Sequence, residues 1–241
     1  MESVQSVTAL PPTARKREPL FSLPNLFTEK SLYDVLVETY RSQLHLQKSQ
    51  EDGKDTGLPR VALALTHWLL NSEVESSKPG LFFFGCCGTG KTTWMRTLRS
   101  FLIDPRNGSS LARQNAQCRQ PIRQQIVMVS PYDLYSDPDF NPNDTSWQMS
   151  GLFSICRGAG LLILDDVGYE TPQNFFGSKI DLVAQLIEFR YILRLPVFLT
   201  SNLTHDLFRS RYSDRVFDRV KEMCMFCLFD GDSYRKETFL I

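Results

Sequence analysis

Gly85-Cys86-Cys87-Gly88-Thr89-Gly90-Lys91-Thr92 is the stretch whose reading decides the fold. It fits the pattern G-x-x-x-x-G-K-[ST], a phosphate-binding loop. Chemistry sets that spacing. Glycines let the backbone curl until successive N–H groups point inward and form an anion nest. The helix that follows adds the positive end of its dipole. Lys91 reaches the β- and γ-phosphate oxygens of a nucleoside triphosphate, and the Thr92 hydroxyl is placed to ligate Mg²⁺. The candidate nucleotide-binding set is therefore Gly85, Cys86, Cys87, Gly88, Thr89, Gly90, Lys91, Thr92 and the adjoining Thr93.

The flanks supply the context such a loop requires. Gly80-Leu81-Phe82-Phe83-Phe84 is a short apolar, aromatic run and reads as a buried strand. After the loop, Met95, Leu98, Phe101 and Leu102 recur at helical spacing. Strand, glycine loop and helix follow one another in the order a phosphate site needs.

A second strand completes the nucleotide site. Leu161-Leu162-Ile163-Leu164 runs into Asp165-Asp166. Buried apolar residues ending in acid put Asp165 at a strand's C-terminal end, where it would hold Mg²⁺, directly or through water, with Thr92 as the other candidate ligand. Asp166 is placed to orient or deprotonate an attacking water. In the Gly168–Thr171 loop, Glu170 is either a second candidate for positioning that water or a salt-bridge partner without a chemical part. A further strand, Pro196 to Asn202, ends in polar residues and brings Asn202 toward the γ-phosphate.

Around this nucleus the chain divides into a tail over 1–30, a helix and linker over 31–57, and an ATPase domain over 58–241. The tail is rich in Pro, Ser and Thr and carries Arg15-Lys16-Arg17. It reads as a solvated segment, or as a docking arm anchored by Leu23, Leu26 and Phe27. Leu32, Val35, Leu36, Thr39, Tyr40 and Leu44 predict an amphipathic helix to about Gln47. Leu58 to Asn71 predicts another, with Pro59 in its first turn. Arg106, Arg113, Arg119 and Arg123 mark a long excursion, read as a solvated loop or a phosphate-touching one. Ile126–Val129 predicts a strand, Ser130–Tyr135 a short helix and Trp147–Cys156 another. Ile180–Leu193, Thr204–Tyr212 and Ser213–Met223 are also expected as helices, and Met223–Phe229 as the last strand. Arg215 and Arg219 are four apart and share a helix face, either solvated or turned to a neighbouring subunit's nucleotide. Arg235 follows the last strand and can swing toward phosphate.

Composition narrows the class. The chain has 241 residues, 42% hydrophobic and 22% charged, with 27 basic against 27 acidic side chains. A folded globular protein has this profile, and with zero net charge a nucleic-acid contact must come from a local patch. No run approaches the roughly 18 apolar residues of a membrane span, so the expectation is a cytoplasmic protein without membrane contact. Its six cysteines then read as thiols rather than a disulfide framework. Cys224-Met225-Phe226-Cys227 is formally C-x-x-C, but in a strand residues three apart face opposite sides and cannot share a metal.

Four segments together resemble one family. They are the Gly85–Thr92 loop, Leu161–Asp166 with Gly168-Tyr169-Glu170, Thr200-Ser201-Asn202-Leu203-Thr204, and Asp214-Arg215-Val216-Phe217-Asp218-Arg219 leading to Gly231-Asp232-Ser233-Tyr234-Arg235. The set is similar to the DnaC/IstB family of AAA+ ATPases, the helicase loaders and transposition helper proteins. The ending Asp-Ser-Tyr-Arg looks most like the loader branch. This resemblance, over roughly residues 58–236, implies a three-layer α/β P-loop core with a mostly parallel five-stranded sheet. It also implies a short N-terminal helical arm and no separate C-terminal lid domain. Asn202 resembles the sensor-1 residue, Arg219 the arginine finger with Arg215 as its close helper or rival, and Arg235 the sensor-2 arginine. Cys86 and Cys87 stand where the family commonly has small residues or proline.

The function implied is slow, Mg²⁺-dependent ATP hydrolysis in a nucleotide-dependent homo-oligomer. It would gate the loading of a replicative helicase onto single-stranded DNA. The alternatives are a helper acting with a transposase on duplex DNA, and a nucleotide-regulated adaptor with little turnover. A chaperone-like ATPase acting on membrane proteins fits the ending less well.

Overall fold

The computed structural model describes residues 27–46, 58–71, 78–107, 126–141, 148, 151–175 and 178–231. The 1–26 tail, the linker, Arg113 to Arg123, Cys118 and Arg235 lie outside the described residues. The first two helices are α1 (Glu29–Leu46) and α2 (Leu58–Leu70). There follow β1 (Gly80–Gly85), α3 (Lys91–Ile103), β2 (Ile126–Val129), α4 (Pro131–Tyr135), α5 (Gly151–Gly158) and β3 (Leu161–Val167). A hairpin, β4 (Gln173–Phe175) and β5 (Ser178–Ile180), leads to α6 (Leu182–Leu193), β6 (Val197–Ser201), α7 (His205–Met223) and β7 (Cys224–Phe229).

Five strands form one sheet in the order β2-β3-β6-β1-β7, every pairing parallel. Parallel strands need covering on both faces, and the alternation of side chains provides for it. Phe82, Leu162, Leu164, Val197 and Leu199 pack on one side with α4, α5, α6 and α7. Leu81, Phe83, Leu161, Ile163 and Phe198 pack on the other with α1, α2 and α3. The result is the expected three-layer α/β architecture, with the sheet wholly parallel. Cys224 and Cys227 fall on opposite faces of β7, as strand geometry required.

The N-terminal helix shares the core. Leu32, Leu36 and Tyr40 are buried, and Tyr40 stacks on Trp94 of α3 with ring centroids 4.4 Å apart. Burying each such side chain is worth about 1.5–3 kcal/mol, enough to fasten α1 to the helix that carries Lys91.

Two boundaries differ from the sequence-based expectation. Ile180 belongs to β5, opposite Gln173, and α6 begins only at Leu182 because Asp181 caps it by accepting from Ala184 N. The β4–β5 hairpin gave no alternating signal of its own. The helix expected from Trp147 starts at Gly151, where the Asp137 carboxylate accepts from Leu152 N at 2.5 Å. The two helices expected from Thr204 and Ser213 are present as the two halves of α7, which meet where expected, at a non-helical Ser213 with φ 79° and ψ 158°.

One buried charge fixes the start of β3. Arg190 is fully buried and donates to the carbonyls of Cys156, Ala159, Gly160 and Pro196. It thereby supplies donors to the C-terminal end of α5 and joins α6 to the entries of β3 and β6. Burial lowers its pKa to about 9.

Candidate functional site

The site lies at the C-terminal ends of β1, β6 and β3. Gly85, Gly88 and Gly90 have φ of 119°, 80° and 88°, the left-handed region that glycine enters at little cost. At Gly85 a side chain would also collide with the Phe229 carbonyl. These turns carry the chain into α3, whose N-cap Gly90 offers no side-chain cap. The first N–H groups of α3 are thus left for an anion. Thr93 is buried, so its contribution to the cradle is its backbone. Cys86 is pinned: its N–H donates to Phe229 O at 2.9 Å, and its carbonyl accepts from Thr89 Oγ1 at 2.8 Å.

Lys91 folds back over the loop. Its ammonium donates to Gly85 O at 3.0 Å and Cys86 O at 2.5 Å. Burial lowers its pKa from the ordinary lysine value, partly offset by electrostatic interaction with the Cys86 and Cys87 thiols and with Asp165 and Asp166. A dianionic phosphate would relieve the same penalty.

The acid strand is separated from β1 by β6, yet its first acid reaches the loop. Asp165 Oδ1 accepts from Thr92 Oγ1 at 2.9 Å and from Thr200 Oγ1 at 2.6 Å. Strand alternation produces this aim, since Asp165 follows Leu161 and Ile163 on the face that packs with α3, and a register shift in the β3–β6 pairing comes between Leu164 and Val167. Asp166, within the irregularity, has φ 60°, a conformation that aspartate tolerates better than most side chains. Its N–H donates to Thr200 Oγ1 at 2.7 Å, and its Oδ1 accepts from Asn202 Nδ2 at 2.7 Å. Thr200 therefore ties both acids to β6, a clamp for which the sequence offered only a polar strand ending.

The oxygen set fits Mg²⁺. Octahedral Mg²⁺ with bonds of about 2.1 Å places neighbouring ligand oxygens about 3.0 Å apart. Thr92 Oγ1 and Asp165 Oδ1 are separated by 2.9 Å. No group of three or more His, Cys, Asp or Glu gathers among the described residues. A cation here would complete its shell with phosphate oxygens and water, the habit of Mg²⁺ at nucleotide sites.

Glu170 is engaged elsewhere. Its side chain is 5% exposed. Oε2 accepts from Gly168 N at 2.8 Å, while Oε1 accepts from Arg211 Nη2 at 3.1 Å and from the Tyr212 hydroxyl. Arg211 also holds Asp181 at 2.5 Å. Of the two readings open for Glu170, the geometry matches the salt-bridge partner. Arg211, Tyr212 and Asp181 were not singled out from sequence, because nothing in their spacing shows that α7 packs on the loop after β3.

Arg215 and Arg219 do share a face, and it is turned to α6. Arg215 makes a forked pair with Glu188 at 2.9 and 3.1 Å. The Arg219 guanidinium lies 4.0 Å from the Tyr191 ring centroid, and its buried Nε has no hydrogen-bond partner. Neither is among the groups that touch Lys91, Asp165 or Asp166.

No protein-family model and no curated protein sequence matches the chain. Among solved structures it is similar to DnaI, with TM-score 0.49 and 18% identity over 78% of this chain and 93% of that one. It is similar to the DnaC helicase loader at TM-score 0.46 and 19% identity, over 75% and 94%. It is similar also to AMPPCP-bound DnaA from Aquifex aeolicus at TM-score 0.47 and 16% identity, over 76% of this chain and 49% of that one. No helix among the described residues is long and apolar enough to cross a membrane. With its phosphate loop after β1, its acid pair ending β3 and β6 between them in a five-stranded parallel sheet, the chain has a three-layer α/β fold of the P-loop kind.

Proposed function

We propose that this chain binds ATP with Mg²⁺ and hydrolyses it slowly, and that the nucleotide gates assembly of a DNA-replication complex. The observation that carries the chemistry is the convergence of Thr92, Asp165, Asp166, Thr200 and Asn202 on one hydrogen-bonded cluster beside the Lys91 ammonium. Lys91 exchanges its two loop carbonyls for phosphate oxygens and neutralises their charge. Thr92 and Asp165 hold the cation, which when bound supplies Lewis-acid polarisation of the phosphates. Asp166, fixed through Oδ1 by Asn202, has its second oxygen to orient water. Arg219, whose Nε is unsatisfied, completes the site of an adjacent copy, with Arg215 held back by Glu188. Arg235 is retained as a further phosphate contact.

The finer reading is a DnaC-like loader of a replicative helicase onto single-stranded DNA, supported by the sequence resemblance at Asp214–Arg219 and Gly231–Arg235. The test is ATP turnover as a function of protein concentration, with single-stranded or duplex DNA added, beside an Arg219→Ala control. Turnover that rises with concentration, responds to single-stranded DNA and falls in the control supports the reading. Stimulation by duplex alone supports the transposition helper. Turnover per subunit that ignores both concentration and Arg219 overturns the shared site.

A further inference from the structure

The phosphate loop contains two side chains that nucleotide binding does not require. Cys86 and Cys87 are both exposed. The remaining described thiols are different. Cys156 and Cys224 are buried, and Cys227 is partly buried against the other face of the sheet. Burial pushes the Cys156 and Cys227 thiols up to about 12 and the Cys224 thiol higher still. Those three are protected by packing from exchange.

The surroundings of the exposed pair favour anionic reagents. Lys91 Nζ sits 2.5 Å from the Cys86 carbonyl oxygen, so a basic group lies against the backbone that carries the first thiol. The loop glycines and the uncapped start of α3 direct N–H groups to the same concavity. Accessible thiols, unlike those buried in apolar packing, are the ones that exchange with disulfides. The Cys86 backbone is tied at both ends, to Phe229 O and to Thr89 Oγ1, so the loop cannot carry its thiol away from the cradle without losing those bonds.

We propose that Cys86 and Cys87 form a thiol-modification site at which a small carboxylate-bearing disulfide closes the phosphate loop to nucleotide. This rests on the reading of that loop as an ATP site. One cysteine, as thiolate after releasing its proton to solvent, attacks a sulfur of the disulfide. A protein–reagent S–S bond forms, the reagent's own S–S bond breaks, and its other half leaves as a thiolate that takes a proton from water. The adduct's carboxylates then compete with phosphate for Lys91 and the loop N–H groups. A thiol reductant reverses the exchange and reopens the site. The two cysteines that the nucleotide chemistry leaves unexplained thereby become a redox-sensitive entry to it.

The experiment uses oxidised glutathione on the full chain and reads equilibrium binding of a fluorescent ATP analogue. Fully reduced protein is measured first. If it does not bind, the nucleotide reading fails, and this inference with it. If it binds, treatment is expected to weaken binding by more than about tenfold, a loss of over 1.4 kcal/mol, and dithiothreitol to restore it. Mass spectrometry is expected to place the adduct on the peptide holding Cys86 and Cys87, and MgATP to slow its formation. In Cys86→Ser/Cys87→Ser protein, each sample compared with itself before treatment, the ratio is expected to be near one. Unchanged binding in treated wild type, or equal loss in the double variant, overturns the inference while leaving the ATP reading standing.

Discussion

Replacing Glu170 separates a chemical role from an architectural one. The carboxylate accepts three hydrogen bonds, two on Oε1 and one on Oε2, in a position 5% exposed. Glu170→Ala strands the Gly168 N–H and the buried Tyr212 hydroxyl and removes one of the three hydrogen bonds that Arg211 donates, leaving those to Asp181 and to the backbone carbonyl of position 170. Breaking a buried pair costs about 3–5 kcal/mol. Arg211 keeps Asp181 at 2.5 Å, so the low end, about 3 kcal/mol, applies. In a domain of this size that lowers the melting temperature by about 6–12 °C. Glu170→Gln has one acceptor oxygen for two sets of donors, so its amide must face a donor on one side. It is expected to lose about 1–3 kcal/mol. The assay is urea denaturation of both variants with ATP turnover measured per folded molecule. The expected result is lowered midpoints in both, with turnover per folded Glu170→Gln molecule reduced by less than about tenfold, short of the 10²–10⁴ of a lost general base. An unchanged midpoint with turnover down about a hundredfold or more would make Glu170 the water-positioning group and refute the argument.

Two other outcomes follow from particular groups. Asp166→Asn keeps a side chain that tolerates φ 60° and can still pair with Asn202, so nucleotide affinity measured by fluorescence should stay within about threefold while turnover falls by about 10²–10⁴. Burial raises Cys156 from 9.0 to about 12 and Tyr135 from 10.0 to about 12. The unfolded chain releases these protons first, so their stabilisation is complete below about pH 9 and is lost as pH rises toward and through 12. The urea midpoint should therefore drop between pH 8 and 11, and a flat midpoint would contradict that burial.

The candidate nucleotide site was legible because its parts are local in sequence. The loop glycines and Lys91-Thr92 lie within eight residues, and Asp165-Asp166 ends an apolar run. Each pattern reports a backbone geometry that the adjoining residues dictate. The same holds for the strands, whose continuous apolar runs follow from burial on both faces. The β4–β5 hairpin was not legible, since two three-residue strands are too short to alternate visibly. The start of α6 at Leu182 was equally hidden, because an apolar Ile180 fits a helix as well as a strand.

What the sequence determined by itself was therefore the fold class, the phosphate loop, the acid pair and the polar end of β6. Tertiary structure alone decided how these meet. Stacking of α3 on the face of β3 that carries Asp165 brings Thr92 to it, and the irregularity after Leu164 sets Asp166 against Asn202. Packing of α7 on the loop after β3 gives Glu170 to Arg211 and Tyr212 rather than to water. The reason is physical: backbone propensity and hydrophobic period act over a few neighbours, whereas hydrogen-bond partners 36 to 73 residues apart are chosen by how the layers stack.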